Sequence, residues 1–92
     1  MTELEIKYQT CKLCEALLRN INDNFKSVSF EILDNGDIQT KIILTELGVD
    51  EEDYIDDLMC EFTAVQSTDC VLMPIVEVGD GQPLENLVYF VN

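Results

Sequence analysis

From Gly48 to Val65 the chain mixes apolar and acidic residues at the period of a helix. At about 100° per residue, Tyr54, Ile55, Leu58, Met59, Phe62 and Val65 fall on one arc. Asp50, Glu52, Asp53, Asp56, Asp57 and Glu61 fill the opposite arc. The pattern predicts an amphipathic helix with an apolar floor and a carboxylate roof. Asp50 is its expected N-cap, because its carboxylate can accept a bond from an orphan amide two or three residues on. Glu51, Glu52 and Asp53 then fall in the first turn, where the helix dipole favours negative charge. Gly48 closes the preceding segment.

An earlier helix is expected to open at Thr2, which has capping-box spacing to Glu5. Leu4, Cys11, Cys14, Leu17, Leu18, Ile21 and Phe25 share its broad apolar arc, opposite Glu5, Gln9, Lys12, Arg19 and Asn20. The polar run Asn22-Asp23-Asn24 ends it. Val28, Phe30 and Ile32 then alternate with Ser27, Ser29 and Glu31, as in a half-buried strand. Asn35-Gly36 signals a hairpin turn. A two-residue loop would pair Phe30 with Lys41 and mix the faces. A three-residue loop with Gly36 left-handed pairs Ile32 with Ile38, Phe30 with Thr40 and Val28 with Ile42, and keeps one face apolar, so it is the expected register. The second strand runs from about Asp37 to Leu44.

Beyond the acidic helix, Gln66 to Asp69 reads as a loop and Cys70 to Val78 as a strand apolar on both faces. Pro74 cannot donate to a ladder, so this is an edge strand or a bulged one. Gly79 to Pro83 turns the chain, and Asn86 to Val91 reads as a central strand from its nearly continuous apolar run. The order α-β-β-α-β-β predicts an α+β two-layer sandwich, a mainly antiparallel four-stranded sheet with two helices on one face. Moving the first strand of a ferredoxin-like β-α-β-β-α-β unit to its end gives the same order, and would put strand three at an edge and strand four inside.

Ninety-two residues, 47% of them hydrophobic, make one expected domain, residues 1–92, with enough apolar material for a modest core. The longest apolar run, Cys70 to Val76, is far short of the roughly 20 residues that span a bilayer. The N-terminal MTELEIK lacks the basic and apolar regions of a secretory signal, so a cytoplasmic location is expected.

Charge changes the picture. Nineteen acids against five bases give a net charge of −14. Residues 1–41 hold seven acids and five bases, whereas residues 42–92 hold twelve acids and no base. Nucleic acid, an anionic membrane and acidic substrates are disfavoured as direct partners of that half, and a basic protein surface is favoured. General solubility would account for acidity, but not for one half losing every lysine and arginine.

The candidate chemistry is sparse. Cys11-Lys12-Leu13-Cys14 is a C-x-x-C placed mid-helix, away from the N-terminus that would activate a thiol. Cys60 and Cys70 lie too far apart to complete a four-cysteine zinc site of usual spacing. Buried, unbonded thiols are expected instead. The absence of histidine removes Ser-His and Cys-His nucleophile pairs and most catalytic zinc sites. Asp34-Asn35-Gly36-Asp37 lacks the alternating ligands and distal glutamate of a calcium loop and reads as a turn. No enzyme, cofactor or metal site is expected.

The carboxylate helix is the expected partner-binding surface. Asp50, Asp53, Asp57 and Glu61 form a row with about one acid per turn, flanked by Glu52 and Asp56, and no lysine or arginine at helical spacing relieves their repulsion. Such a row can engage a basic groove that normally holds phosphates. The expected function is stoichiometric inhibition through a nucleic-acid-binding surface of a target, of the DNA-mimic, anti-defence or immunity type, with Tyr54 or Met59 as an anchor. The alternative is a homodimeric or chaperone-like module. It would use an open apolar sheet face of Ile43, Val71, Met73, Ile75, Val88 and Phe90.

Overall fold

The computed structural model describes residues 3–91. Its elements are α1 (Glu3–Leu18), β1 (Phe25–Ile32), β2 (Ile38–Leu44), α2 (Val49–Ala64), β3 (Ile75–Val78) and β4 (Asn86–Phe90). The α+β order is the one the patterning predicts. The Thr2 end of the expected capping box lies outside the described residues. The four strands form one mixed sheet in the order β3-β2-β1-β4. β1 is antiparallel to both β2 and β4, and β2 is parallel to β3.

The hairpin has the expected register. Ile32 pairs with Ile38, Phe30 with Thr40 and Val28 with Ile42. The Gly36 N–H donates to Leu33 O at 2.9 Å and the Leu33 N–H to Asp37 O at 2.8 Å. This closure needs φ = +92° at Gly36, a left-handed value that costs a residue without a Cβ little. One face of the hairpin therefore presents Val28, Phe30, Ile32, Ile38 and Ile42 to the helices, where they pack with Leu13, Leu17, Leu58 and Phe62 in a buried core.

Pro74 acts as its chemistry dictates. The third strand makes an isolated parallel bridge at Val71 with Ile38, breaks, and resumes at Ile75 opposite Lys41. One extra residue lies between the two contacts on the third strand, a bulge at the sheet edge. The Gln39 side chain reaches Met73 O at 2.8 Å and substitutes for the ladder bond lost there.

The last strand departs from expectation. β4 lies at the other edge, beside β1, rather than between β2 and β3, so the permuted ferredoxin-like arrangement is not adopted. α2 carries the chain from β2 straight to its parallel neighbour β3, which closes the gap β4 would have needed. Residues 79–85 then cross the sheet on the face away from the helices. Gly79 turns into this strap at φ = +106°. Lys26 Nζ donates to Gly79 O at 3.1 Å, and the Leu84 N–H donates to Ser29 Oγ at 2.8 Å. The two crossovers travel in opposite directions on opposite faces and so share one hand, as parallel connections should.

The strap overturns the expected open apolar face. Ile43 beneath it is 3% exposed, and Ser27 and Ser29 are buried with it. Val71 and Val88 pack against the main core on the other side. Met73 and Ile75 stay exposed at the β3 edge, and Phe90 at the opposite edge on β4. The LVYFV run is apolar without being central because a bulge between Val28 and Ser29 of the pairing with β1 lets both Val88 and Tyr89 reach the core.

α1 is rotated from its expected phase. Its buried residues are Gln9, Leu13, Ala16 and Leu17, with Asn20 just beyond its end. Leu4 and Leu18 face solvent, and Phe25 belongs to β1. The cause is two satisfied polar residues on the inner face. Gln9 and Gln66 form a reciprocal amide pair at 2.9 and 2.8 Å, and Asn20 donates to Ala16 O and to Glu61. Buried amides with partners replace the apolar residues that hydropathy alone seeks there. The thiols follow the rotation: Cys11, Cys14 and Cys60 are exposed and Cys70 is half-buried, all free, contrary to the buried placement expected.

Candidate functional site

α2 starts two residues earlier than its acids suggest. Gly48 is the N-cap and Asp50 lies inside the first turn, exposed. Glu51 takes over the capping role. Its Oε1 accepts the Gly48 N–H at 2.7 Å, the N3-to-N-cap half of a capping box. Its Oε2 accepts the side-chain amides of Asn22 at 2.7 Å and Asn24 at 3.1 Å. The carboxylate is buried, and the bonds from Asn22, Asn24 and Gly48, in that order, hold its pKa below the usual range. Sequence reasoning missed this network. The available signal is angular, because Glu51 shares the helical arc of Leu58 and Phe62.

The floor packs largely as expected: Ile55, Leu58 and Phe62 are buried, and Tyr54 and Met59 lie half-buried against the core. The Tyr54 ring meets Phe25 edge to face at 6.5 Å. Val65, at the C-cap, is exposed.

The roof divides in two. Asp50, Glu52, Asp53, Asp56 and Asp57 are exposed on the first half of the helix. Glu61 is not part of a free row. Its Oε1 accepts Arg19 at 2.8 Å, and its Oε2 accepts the Asn20 amide, which ties α2 to α1. The Arg19 bond first, then Asn20 and the Arg19 charge, hold its pKa low. Both perturbed carboxyls are thus fixed as ionised acceptors, whereas a general acid needs the opposite shift.

The five bases are all engaged: Lys7 with Glu3, Lys12 with Glu15, Arg19 with Glu61, Lys26 with Asp80 and Lys41 with Glu77. Among the described residues no cation pairs with the five exposed acids of α2. They span roughly 11 Å of helix at 1.5 Å per residue.

Beside this row runs an apolar groove. It lies between the outer flank of α2 and the Pro74 bulge, has a volume of about 590 Å³, and is lined by Met59, Cys60 and Ala64 on one side and Val71, Leu72 and Met73 on the other. A second hollow of about 350 Å³ continues it past Met73, Pro74 and Val76, with Glu52 and Asp56 on its rim. Met73 is 87% exposed at the junction. A further concavity, about 630 Å³, opens at the hairpin tip among Glu31, Asp34, Asn35 and Glu85, where the Asn35 side chain is occupied by Asp37.

Among the described residues no group of three or more Cys, Asp or Glu is placed to hold a metal ion, and no helix is long and apolar enough to cross a membrane. No family model matches the chain, and no curated protein matches it in sequence.

Proposed function

We propose that the protein is a non-enzymatic binding module that occupies a basic surface on a target protein. It acts as a stoichiometric inhibitor of the nucleic-acid-mimic, anti-defence or immunity type. The observation that carries this reading is the unpaired acid cluster Asp50, Glu52, Asp53, Asp56 and Asp57, in a fold whose five bases are all engaged with other acids. A solvated helix face would gain from interspersed lysines; this one accepts mutual repulsion without local relief. Carboxylates on a rigid helix, backed by Leu58 and Phe62, present fixed charge to arginine and lysine side chains that otherwise grip phosphates. Met73 and the groove beside Asp56 supply an apolar anchor at the edge of the charged patch, the usual division between a buried centre and a polar rim.

The test has two arms. The immobilised protein captures its target from source lysate at low salt and releases it at high salt, and Asp53→Asn/Asp57→Asn captures less. Duplex DNA or RNA added to the purified complex then competes with the protein for the target. Capture unaffected by salt and by both substitutions would remove the electrostatic reading. A complex that binds nucleic acid without releasing the protein would remove mimicry while leaving the acidic contact.

A further inference from the structure

Among the described residues, β3 has β2 on one side and no strand on the other. Successive residues of a strand turn their N–H and C=O groups to opposite edges. The Gly79 N–H donates back to Leu44 O at 2.9 Å, so Glu77 and Gly79 turn toward β2. Val76 and Val78 turn outward, and their N–H and C=O groups line the open edge. The side chains of Ile75, Val76 and Val78 are exposed as well. Pro74 and its bulge blunt the edge before this point, but past it come four residues without a lysine or a proline.

The charged flank of α2 overlooks this edge. Val76 stands on the helix side of the sheet, level with Ile42 of the core. It lines the smaller hollow with Ile55 and Met73, and Glu52 and Asp56 form the rim. Asp56 also borders the larger groove. Both acids are exposed, and the five bases are engaged elsewhere.

We propose that an extended segment of the target, with alternating apolar and basic side chains, adds to β3 as a fifth strand. This rests on the reading that the acids of α2 meet a basic partner, and it gives the form of that partner. The added strand supplies main-chain bonds to Val76 and Val78. Its side chains on the same face as Val76 stand beside the hollow. A lysine or arginine there lays its aliphatic stem over Met73 and Val76 and brings its charge to Glu52 or Asp56. Side chains on the other face stand beside exposed Ile75, where apolar residues fit.

Charge decides against other occupants. A second copy joined β3 to β3 in one continuous sheet would keep both helix layers on the same face. It would set two rims of Glu52 and Asp56 across from each other. The β4 edge also exposes apolar residues, Leu87 and Phe90. It lies against α1, however, where Lys7 and Lys12 pair with Glu3 and Glu15, so charge does not favour a basic strand there.

The experiment titrates the isotope-labelled full chain with a capped hexapeptide of alternating valine and arginine, followed by NMR. The amides of Val76 and Val78 should shift and exchange more slowly with solvent. Glu52→Gln/Asp56→Asn should weaken binding by at least about tenfold. Val78→Pro should do the same, because it deletes an outward donor and leaves the bonds to β2 in place; a thermal melt verifies its fold. A strand pairs through the amides of alternate residues only. N-methylation of one set in the peptide, the valines or the arginines, should therefore abolish binding, and methylation of the other should spare it. Equal effects of the two sets, or unchanged exchange at Val76 and Val78, overturn strand addition. Equal binding of a peptide of alternating valine and glutamate overturns the basic occupant. No binding of the valine–arginine peptide, with salt-sensitive capture of the target intact, overturns strand addition and leaves the acidic contact standing.

Discussion

The side-chain amide of Asn22 donates to Glu51 Oε2 at 2.7 Å across a separation of 29 residues. That bond fixes the corner where the chain leaves α1, enters β1 and starts α2. Asn24 and the Gly48 N–H complete the set of donors on the same carboxylate. Glu51→Gln would offer one acceptor oxygen to three converging donors and add an N–H group among them. It should lower the melting temperature clearly, whereas Asp53→Asn two residues away should not. Thermal melts of the two variants side by side check the ranking, and equal melting temperatures would contradict it.

The same bonds make stability depend on acid. The folded-state pKa values of Glu51 and Glu61 are depressed, the first mainly by Asn22 and the second mainly by Arg19. A depressed carboxyl contributes stability that is present above its unfolded pKa and is lost as pH falls through the folded one. Protonation of the exposed acids of α2 works the other way, by relieving repulsion. The informative quantity is therefore the difference between the unaltered chain and Glu51→Gln. It should be constant from neutrality down to the ordinary carboxylate range and shrink below that. Urea unfolding at a series of pH values reads it directly, and a difference that grows on acidification would reverse the sign.

Two serines on one strand face should respond oppositely. Ser29 Oγ accepts the Leu84 N–H and pins the strap. Ser27 Oγ is buried without a partner. Ser29→Ala leaves a backbone donor unpaired and should cost about 1–3 kcal/mol. Ser27→Ala removes an unsatisfied hydroxyl and should be neutral or stabilising by up to about 1 kcal/mol. Chemical denaturation measures both, and faster hydrogen exchange at Leu84 in Ser29→Ala alone would locate the first effect.

What the sequence made legible was local. The hairpin register follows from a single apolar face plus Asn35-Gly36, and the edge position of β3 follows from Pro74. What it concealed depends on distant partners. Gln9 and Asn20 are polar yet face inward, because Gln66, just after α2, and Glu61, on it, satisfy them from far along the chain, and the phase of α1 could not be read without those partners. Glu51 has the same composition as its neighbours and differs only in its angle around the helix. The place of β4 depends on the route of residues 79–85, whose anchors Ser29 and Lys26 lie on a strand far away in sequence. At the candidate site, five of the six expected acids are exposed together. Glu61 is withdrawn because Arg19, just past the end of α1, reaches it.

That withdrawal sharpens the central test of α2. Neutralising Asp50, Asp53, Asp56 and Asp57 as a set of asparagines should raise stability, by a few tenths of a kcal/mol for each close pair relieved. Glu61→Gln should lower it, because Arg19 and Asn20 lose the carboxylate that joins the helices. On a captured target the fourfold variant should associate more slowly with little change in dissociation, since rim charges act by steering encounter. Raised salt should reproduce the slowing on the unaltered chain, as the Debye length falls from about 10 Å at 0.1 M to about 3 Å at 1 M. Surface plasmon resonance supplies the rates and thermal melts the stabilities. A fourfold variant with raised stability and an unchanged association rate would reduce the acids to a solvated helix face. The Met73 groove would then be the surface to alter next, by Met73→Ser and Met59→Ser, with a loss expected in the dissociation rate instead.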